Sequence, residues 1–142
     1  MRTNWVLLAD DDLEDQEMLV EVIREMAPGV AVETVSDGRE VLSKLAGLTE
    51  AELPSLIILD YKMPYLNAAE VLEALAEDPR YAAIPKVCWS SSRREDDIRR
   101  CLKAGACNYF AKPSTTSELR QVTTSMLECR NSCRKGGTYT GK

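Results

Sequence analysis

The chain alternates short apolar runs with segments of helical periodicity, and this alternation constrains its fold more than any other feature. Five runs are predicted to be strands, and a predicted amphipathic helix follows each of them. The runs are WVLLA (5–9), VAVETV (30–35), LIIL (56–59), KVCW (86–89) and CNYFA (107–111). Strands that alternate with helices form a parallel sheet covered on both faces. The sequence therefore predicts an α/β fold of the (βα)5 type, with a doubly wound five-stranded parallel sheet.

Capping residues precede three of the predicted helices. In each case a residue that accepts a hydrogen bond at a helix start is followed by Glu three positions later, which is the spacing of a capping box. The pairs are Asp37 with Glu40, Asn67 with Glu70, and Thr115 with Glu118. These signals support the predicted order of helices.

One domain accounts for the length of the chain. A chain of 142 residues fits a single domain with its own core. We predict that residues 1–130 form this domain. The segment NSCRKGGTYTGK (131–142) has two adjacent glycines and no apolar periodicity. We predict that this segment is a frayed or disordered tail.

The charge and hydropathy of the chain disfavour two kinds of partner. The formal net charge is -5, whereas nonspecific binding to DNA or to anionic membranes needs a basic surface. No run of about 18 apolar residues is present, and the N-terminal apolar run is too short for a signal peptide. We therefore expect a cytoplasmic protein with no nucleic acid and no membrane as partner.

Histidine is absent and cysteine is present, and both facts limit the chemistry. Without an imidazole base, Ser-His-Asp and Cys-His mechanisms are excluded. A bound metal is expected to be a hard cation with oxygen ligands. The five cysteines contain no CxxC motif and are predicted to be reduced thiols packed as small apolar residues. They are Cys88, Cys101, Cys107, Cys129 and Cys133.

Charged and hydroxyl side chains follow the predicted strands. Three acids, Asp10 to Asp12, follow the first strand, Asp60 follows the third, Ser90 to Ser92 end the fourth, and Lys112 follows the fifth. Each alone has a simpler role, as a helix cap or a solvated charge. Ligands of open α/β sheets bind at the carboxyl ends of the strands. The convergence of these residues at that edge therefore favours a shared site.

The residue types at this edge suit phosphoryl transfer. Asp11 and Asp60, together with a backbone carbonyl, offer the oxygen ligands that Mg²⁺ prefers. A carboxylate also acts as a nucleophile toward phosphorus and forms an aspartyl phosphate. Lys112 would neutralise phosphoryl oxygens and the Ser90 hydroxyl would donate a hydrogen bond to them. Asp60 is therefore the predicted phosphoacceptor, with Mg²⁺ as cofactor.

These motifs resemble the receiver domain of two-component response regulators. The resemblance covers residues 4 to about 130 and rests on VLLADDD (6–12), PSLIILDYKMP (54–64), IPKVCWSSS (84–92) and GACNYFAKP (105–113). It implies a flavodoxin-like, CheY-like sheet with strand order 2-1-3-4-5. The stretch SSSRREDDIRRCLKAGACNYFAKP (90–113) is also similar to stand-alone regulators paired with bacterial phytochrome kinases.

The resemblance implies roles for the residues of the site. Asp60 corresponds to the phosphorylated aspartate, and Asp10 with Asp11 corresponds to the acidic pair that binds Mg²⁺. Lys62 corresponds to a position whose backbone carbonyl also binds the metal. Ser90 corresponds to the hydroxyl residue that moves to meet the phosphoryl group.

Lys112 and Tyr109 also match the family, whereas residues at two other positions differ from it. Lys112 corresponds to the family's lysine, whose bond to the following Pro113 is cis in that family, and Tyr109 corresponds to an aromatic switch that turns inward on phosphorylation. Asn67-Ala68 stands where the family often has Asp-Gly, and Ser91 stands where a smaller residue is usual. Neither departure removes a catalytic group, so a working site is expected.

The function implied is that of a single-domain response regulator. It would take a phosphoryl group from a sensor histidine kinase, of a phytochrome-like type, onto Asp60, and it would modify itself rather than act as a turnover enzyme. A downstream protein would read the face formed by the fourth helix, fifth strand and fifth helix. The alternatives are a shuttle to a histidine phosphotransfer protein, and a phosphorylation-independent interaction module. An aspartate-based phosphatase is disfavoured because Lys62 stands where such an enzyme needs a second acid.

A set of apolar residues near the same face bears on oligomeric state. If these residues formed an exposed strip, a symmetric homodimer would be expected through this face. The alternative is that most of them belong to the core. They are Leu102, Tyr109, Leu119, Val122 and Met126.

Overall fold

The computed structural model describes residues 4–132 and 138–139. Strands and helices alternate along the chain, as the sequence predicts. The elements are β1 (Trp5–Ala9), α1 (Leu13–Met26), β2 (Ala31–Val35), α2 (Gly38–Ala46), β3 (Leu56–Leu59), α3 (Ala68–Ala76), β4 (Lys86–Ser90), α4 (Glu95–Ala104), β5 (Asn108–Ala111), α5 (Thr116–Ser132) and β6 (Thr138–Tyr139), with short 3-10 helices at Glu50–Glu52 and Pro79–Tyr81.

The strands form one parallel sheet in the order β2-β1-β3-β4-β5-β6. The predicted order of the first five strands is confirmed. The two-residue strand β6 pairs with β5, and α5 continues to Ser132. Both elements include residues of the predicted tail (131–142), the rest of which lies outside the described residues. The bounds of the domain and of the tail stay a prediction.

The central strands are buried because their side chains pack into two hydrophobic cores, one on each face of the sheet. Every residue of β1, β3 and β4 is buried. Successive side chains of a strand point to opposite faces of the sheet. Leu7 and Ile57 therefore pack with α2 and α3 on one face, and Leu8 and Ile58 pack with α1 and α5 on the other. Packing on both faces fixes the strand ends that carry the polar residues.

The predicted caps form as the sequence indicates. Asn67 and Glu70 make a reciprocal capping box at the start of α3. At the other two helices, the Asp37 carboxylate accepts a 2.9 Å hydrogen bond from the Glu40 amide, and the Thr115 hydroxyl accepts a 3.1 Å bond from the Glu118 amide. These bonds satisfy backbone donors that would otherwise lack partners in the first turn.

Two expectations from the sequence are corrected. The described residues contain no cis peptide bond, so the Lys112–Pro113 bond is trans rather than cis. Cys107 is disulfide-bonded, so the prediction of reduced thiols is wrong at that residue. The remaining described cysteines, Cys88, Cys101 and Cys129, are free, and Cys133 lies outside the described residues.

The apolar residues considered for a homodimer do not form an exposed strip. Tyr109, Leu119 and Met126 are buried, and Leu102 and Val122 are half-buried against the cores. The predicted homodimer through α4, β5 and α5 thus loses the observation that suggested it. Within the described ranges, no helix combines the length and apolar character needed to cross a membrane.

Candidate functional site

Neighbouring strands carry acidic residues to the same edge of the sheet. Ala9 of β1 pairs with Leu59 of β3, so the residues that follow them lie side by side. The Asp60 amide donates a 2.9 Å hydrogen bond to the Ala9 carbonyl, which fixes the start of the loop. Carboxylate oxygens of Asp10, Asp11 and Asp60 lie within 4.8 Å of one another. The predicted convergence of these three acids is therefore observed.

The acidic cluster fits a divalent cation. The Asp10 Oδ1 atom accepts a 2.9 Å hydrogen bond from the Asp12 amide. The Asp10 Oδ2 atom is buried and, within the described part of the chain, has no hydrogen-bond partner. A buried carboxylate oxygen needs a positive charge nearby to offset its burial, and the Lys112 ammonium lies 2.8 Å from this one. Because the cluster with Asp11 and Asp60 offers carboxylate oxygens, it suits a hard cation such as Mg²⁺.

Lys62 lies two residues beyond Asp60 in the β3–α3 loop, with its side chain exposed. The resemblance concerns the carbonyl oxygen of this residue rather than its side chain. Its role as a metal ligand stays a prediction.

Lys112 joins the acidic cluster from the end of β5. The Lys112 amide donates a 2.8 Å hydrogen bond to the Ser90 carbonyl, which places the lysine beside the end of β4. Its Nζ atom lies 2.8 Å from Asp10 Oδ2, 2.7 Å from Asp15 Oδ2 and 3.4 Å from Asp60 Oδ2. The contact with Asp15 is a hydrogen bond. The contact with Asp10 is an ion pair without hydrogen-bond geometry.

The surroundings of Asp60 favour its neutral form. Burial raises the pKa of Asp60 to about 7. The Lys112 ammonium and the Ser90 hydroxyl lower this pKa, whereas the neighbouring Asp10 carboxylate raises it. Any further positive charge at the cluster favours the carboxylate of Asp60, which is the nucleophilic form.

The surroundings of Lys112 keep its ammonium charged. Burial lowers the pKa of Lys112, but contacts with Asp10 and Asp15 and the charge of Asp60 raise it by more. The net direction is upward, so this buried cation stays charged beside the acids that pair with it.

Ser90 and Tyr109 are connected through the backbone of Ser92. The Ser90 hydroxyl is buried at the end of β4 and accepts a 3.1 Å hydrogen bond from the Ser92 amide. The Tyr109 hydroxyl donates a 2.8 Å hydrogen bond to the Ser92 carbonyl, and the ring is 0% exposed. Tyr109 therefore already has the inward position that the resemblance associates with phosphorylation.

Three polar residues that contact the site were not predicted from the sequence. Asp15 binds Lys112, and Asp97 of α4 accepts a 2.6 Å hydrogen bond from the Ser92 hydroxyl. The buried Gln16 amide donates hydrogen bonds to the carbonyls of Asp10 and Val35. For Gln16 the sequence holds a signal, since a polar residue lies three positions before Leu19 on the buried side of α1.

Comparison with known proteins agrees with this geometry. Residues 6–124 match the model of the response regulator receiver domain family. The two-component response regulator ARR17 of Arabidopsis thaliana is 28% identical over 134 residues, which cover 89% of this chain and 86% of that protein.

Solved structures show the same architecture. The phosphorylated cyanobacterial phytochrome response regulator RcpA is 29% identical, with a TM-score of 0.81 over 92% of this chain and 96% of that one. The Mn²⁺-bound form of response regulator Rcp1 is 24% identical, with a TM-score of 0.78 over 89% of this chain and 93% of that one. At that lower identity, Rcp1 supports the fold alone.

Proposed function

Because the chain belongs to the response regulator receiver domain family of two-component signalling, we propose that it is a single-domain response regulator phosphorylated on Asp60. The observation that carries the proposal is the position of this carboxylate. Asp60 is 6% exposed at the end of a buried strand, close to Asp10 and Asp11. The Lys112 ammonium lies 3.4 Å from it.

The proposed reaction moves one phosphoryl group. An oxygen of Asp60 forms a bond to phosphorus while the bond from phosphorus to a histidine nitrogen of the kinase breaks. The imidazole leaves with the bonding electron pair and takes up a proton. Lys112 and the Ser90 hydroxyl would stabilise the negative charge of the transferred group, Lys112 by its positive charge and Ser90 by moving to donate a hydrogen bond.

We propose Mg²⁺ as the cofactor. The carboxylates of Asp10, Asp11 and Asp60 and the carbonyl of Lys62 would hold it. When bound, the cation supplies positive charge that neutralises phosphoryl oxygens. The buried Oδ2 atom of Asp10 accepts no hydrogen bond from the described residues and is neutralised there by Lys112 alone among the ion pairs of the site, which supports this assignment.

The output surface is proposed to be the face of α4, β5 and α5. A phosphoryl group adds negative charge and acceptor oxygens beside Ser90. The backbone of Ser92 contacts both Ser90 and Tyr109, and its hydroxyl contacts Asp97 in α4. These bonds connect the site to α4, so phosphorylation can select between two arrangements of that helix. A downstream protein would distinguish the two arrangements.

The phosphoryl donor is proposed to be a sensor histidine kinase of a phytochrome-like type. The similarity to RcpA over nearly the whole chain supports this choice. We further propose that the protein is cytoplasmic, that it binds neither nucleic acid nor membrane, and that it modifies itself rather than turning over a substrate.

The test is phosphorylation by acetyl phosphate, read as intact mass. With Mg²⁺, the wild type is expected to gain one phosphoryl group, and the Asp60→Ala variant none. A Glu17→Gln variant, which loses an exposed acid on α1, is expected to behave as the wild type. If the wild type gains no mass and beryllofluoride leaves the fluorescence of Trp89 unchanged, the phosphoacceptor assignment is wrong and an interaction module is favoured.

A further inference from the structure

Lys112 is shared by three carboxylates, and the acid nearest to it is outside the predicted site. Its Nζ atom lies 2.7 Å from Asp15 Oδ2, compared with 3.4 Å for Asp60. An ammonium group has three N–H donors. One of them is directed at Asp15 in a hydrogen bond across 97 residues of sequence.

The backbone of Asp15 is itself held in place. Asp12 caps α1, and its carboxylate accepts a 3.1 Å hydrogen bond from the Asp15 amide. Asp15 therefore lies in the first turn of α1, next to the edge of the sheet that carries the acidic cluster. Its side chain is 28% exposed, whereas that of Lys112 is 12% exposed, so solvent screens the pair only in part.

The ammonium also lies on the oxygen best suited to a cation. Lys112 Nζ is 2.8 Å from Asp10 Oδ2, which is buried and has no hydrogen-bond partner in the described residues. An ammonium and a metal ion cannot both approach this oxygen without repelling each other. Whether the ammonium or the metal ion occupies this oxygen depends on the other carboxylates that bind the ammonium, which are Asp15 and Asp60.

We propose that Asp15 is a positioning residue that tethers the Lys112 ammonium and so limits its competition with a divalent cation for Asp10. This inference rests on the proposed function. With Asp15 present, the ammonium keeps a strong partner when it withdraws from Asp10. Without Asp15, its remaining anionic partners are Asp10 and Asp60, and the cation must displace it from them.

The experiment measures Mg²⁺ binding by titration of the intrinsic fluorescence, in the absence of any phosphodonor. Trp89 is the reporter, because Lys112 Nζ lies 5.1 Å from the centroid of its ring. Asp15→Asn is expected to weaken Mg²⁺ binding about fivefold, which corresponds to about 1 kcal/mol for a partly exposed ion pair. Asp15→Glu, which keeps the charge, is expected to recover part of the loss.

Glu14→Gln is the matched control. Glu14 lies in the same helical turn, is exposed, and is equally placed to act on the helix dipole. Its loss is expected to change Mg²⁺ affinity by less than about twofold. The emission of metal-free protein is expected to change in Asp15→Asn and not in Glu14→Gln, because only the former releases the ammonium near Trp89.

A double-mutant cycle decides whether Asp15 acts through Lys112. In a Lys112→Met background, Asp15→Asn is expected to weaken Mg²⁺ binding by less than about twofold. An equal loss in both backgrounds would show that Asp15 acts on the cation by charge alone, and would overturn the tether. If the Lys112→Met variant fails to fold, unchanged emission of metal-free Asp15→Asn would also overturn it.

The failure of the tether and that of the proposed function are distinguishable. If the wild type binds Mg²⁺ and is phosphorylated while Asp15→Asn matches Glu14→Gln, only the tether is wrong. If the wild type neither binds Mg²⁺ nor gains a phosphoryl group, the proposed function is wrong. The proposed role of Asp15 is then wrong as well, because it rests on that function.

Discussion

The Tyr109 hydroxyl donates a 2.8 Å hydrogen bond to the Ser92 carbonyl while the ring lies fully buried. Burial raises the pKa of Tyr109 to about 12, although hydrogen bonds with Ser90 and Ser92 lower it. The buried phenol therefore stays protonated where an unfolded tyrosine, with a pKa of about 10, ionises.

Folding stability is expected to fall between pH 10 and pH 12 because of Tyr109. Its pKa is higher in the folded state, so its contribution is complete below pH 10 and is lost as pH rises through the folded value. At pH 11 the loss amounts to about 1.4 kcal/mol. Urea unfolding at pH 9 and pH 11 measures it, and Tyr109→Phe should show a correspondingly smaller decrease.

The control for this measurement is Tyr65→Phe, which alters an exposed tyrosine. The decrease in its free energy of unfolding between pH 9 and pH 11 should equal that of the wild type. An identical decrease in Tyr109→Phe and the wild type would show that the buried phenol does not contribute.

The Ser92–Asp97 hydrogen bond is expected to stabilise the β4–α4 loop. A 2.6 Å bond from a hydroxyl to a carboxylate is short and charge-assisted. The cycle of Ser92→Ala, Asp97→Asn and the double variant should give a coupling of about 1 kcal/mol in urea unfolding. Asp96→Asn, a change at the neighbouring exposed acid, should not couple to Ser92→Ala. A coupling below about 0.3 kcal/mol for Asp97 would contradict the prediction.

The positions of Asp10 and Asp60 could be predicted from the sequence because the ends of the two apolar runs before them are clear. The run LIIL ends at Asp60 and the run WVLLA ends at Asp10, and parallel strands bring such ends to one edge. Predicting that these two acids lie at the same edge of the sheet needs no knowledge of side-chain conformation. Lys112 follows the run CNYFA in the same way, and its ammonium lies 2.8 Å from Asp10 Oδ2.

The contacts that the sequence did not reveal join residues far apart in the chain or depend on side-chain conformation. Asp15, in the first turn of α1, accepts a hydrogen bond from Lys112 across 97 residues of sequence, a contact that sequence spacing does not indicate. The Tyr109 side chain is buried and bonded to the Ser92 carbonyl, and residue type alone does not determine that position. Asp97 looks like an ordinary first-turn acid of α4 until Ser92 is placed beside it.

Gln16 is expected to be needed for stability because it supports the backbone that carries Asp10. Its buried amide donates hydrogen bonds to the carbonyls of Asp10 and Val35. Gln16→Met keeps the approximate size of the side chain but removes the donor. A loss of about 1–3 kcal/mol is expected in the free energy of unfolding. Glu17→Met, at the exposed neighbouring position, should change it by less than about 0.5 kcal/mol, and equal losses would contradict the role of the amide.

Magnesium is expected to raise the melting temperature through the acidic cluster. A ligand at 100 times its dissociation constant stabilises the folded state by about 2.7 kcal/mol. Asp11→Asn should remove most of the shift that Mg²⁺ produces, because Asp11 belongs to the cluster. Asp12→Asn removes an adjacent charge but keeps a capping residue, so it should retain most of the shift. Equal shifts in the two variants would contradict the assignment of Asp11 as a ligand.

Gly38→Ala is expected to disturb the loop that follows Asp60. A Cβ atom at Gly38 would lie 2.6 Å from both the Cβ and the carbonyl oxygen of Leu66, and 2.9 Å from Val71 Cγ2. Leu66 belongs to the β3–α3 loop, and contact with its backbone cannot be relieved by a change of rotamer. The free energy of unfolding should fall by about 1–3 kcal/mol.

Gly29→Ala is the control, because its Cβ would have no atom within 4 Å. Urea unfolding of this variant should show little loss of stability or a small gain. If Gly38→Ala were as stable as Gly29→Ala, the close packing of α2 against this loop would not be a constraint on the site.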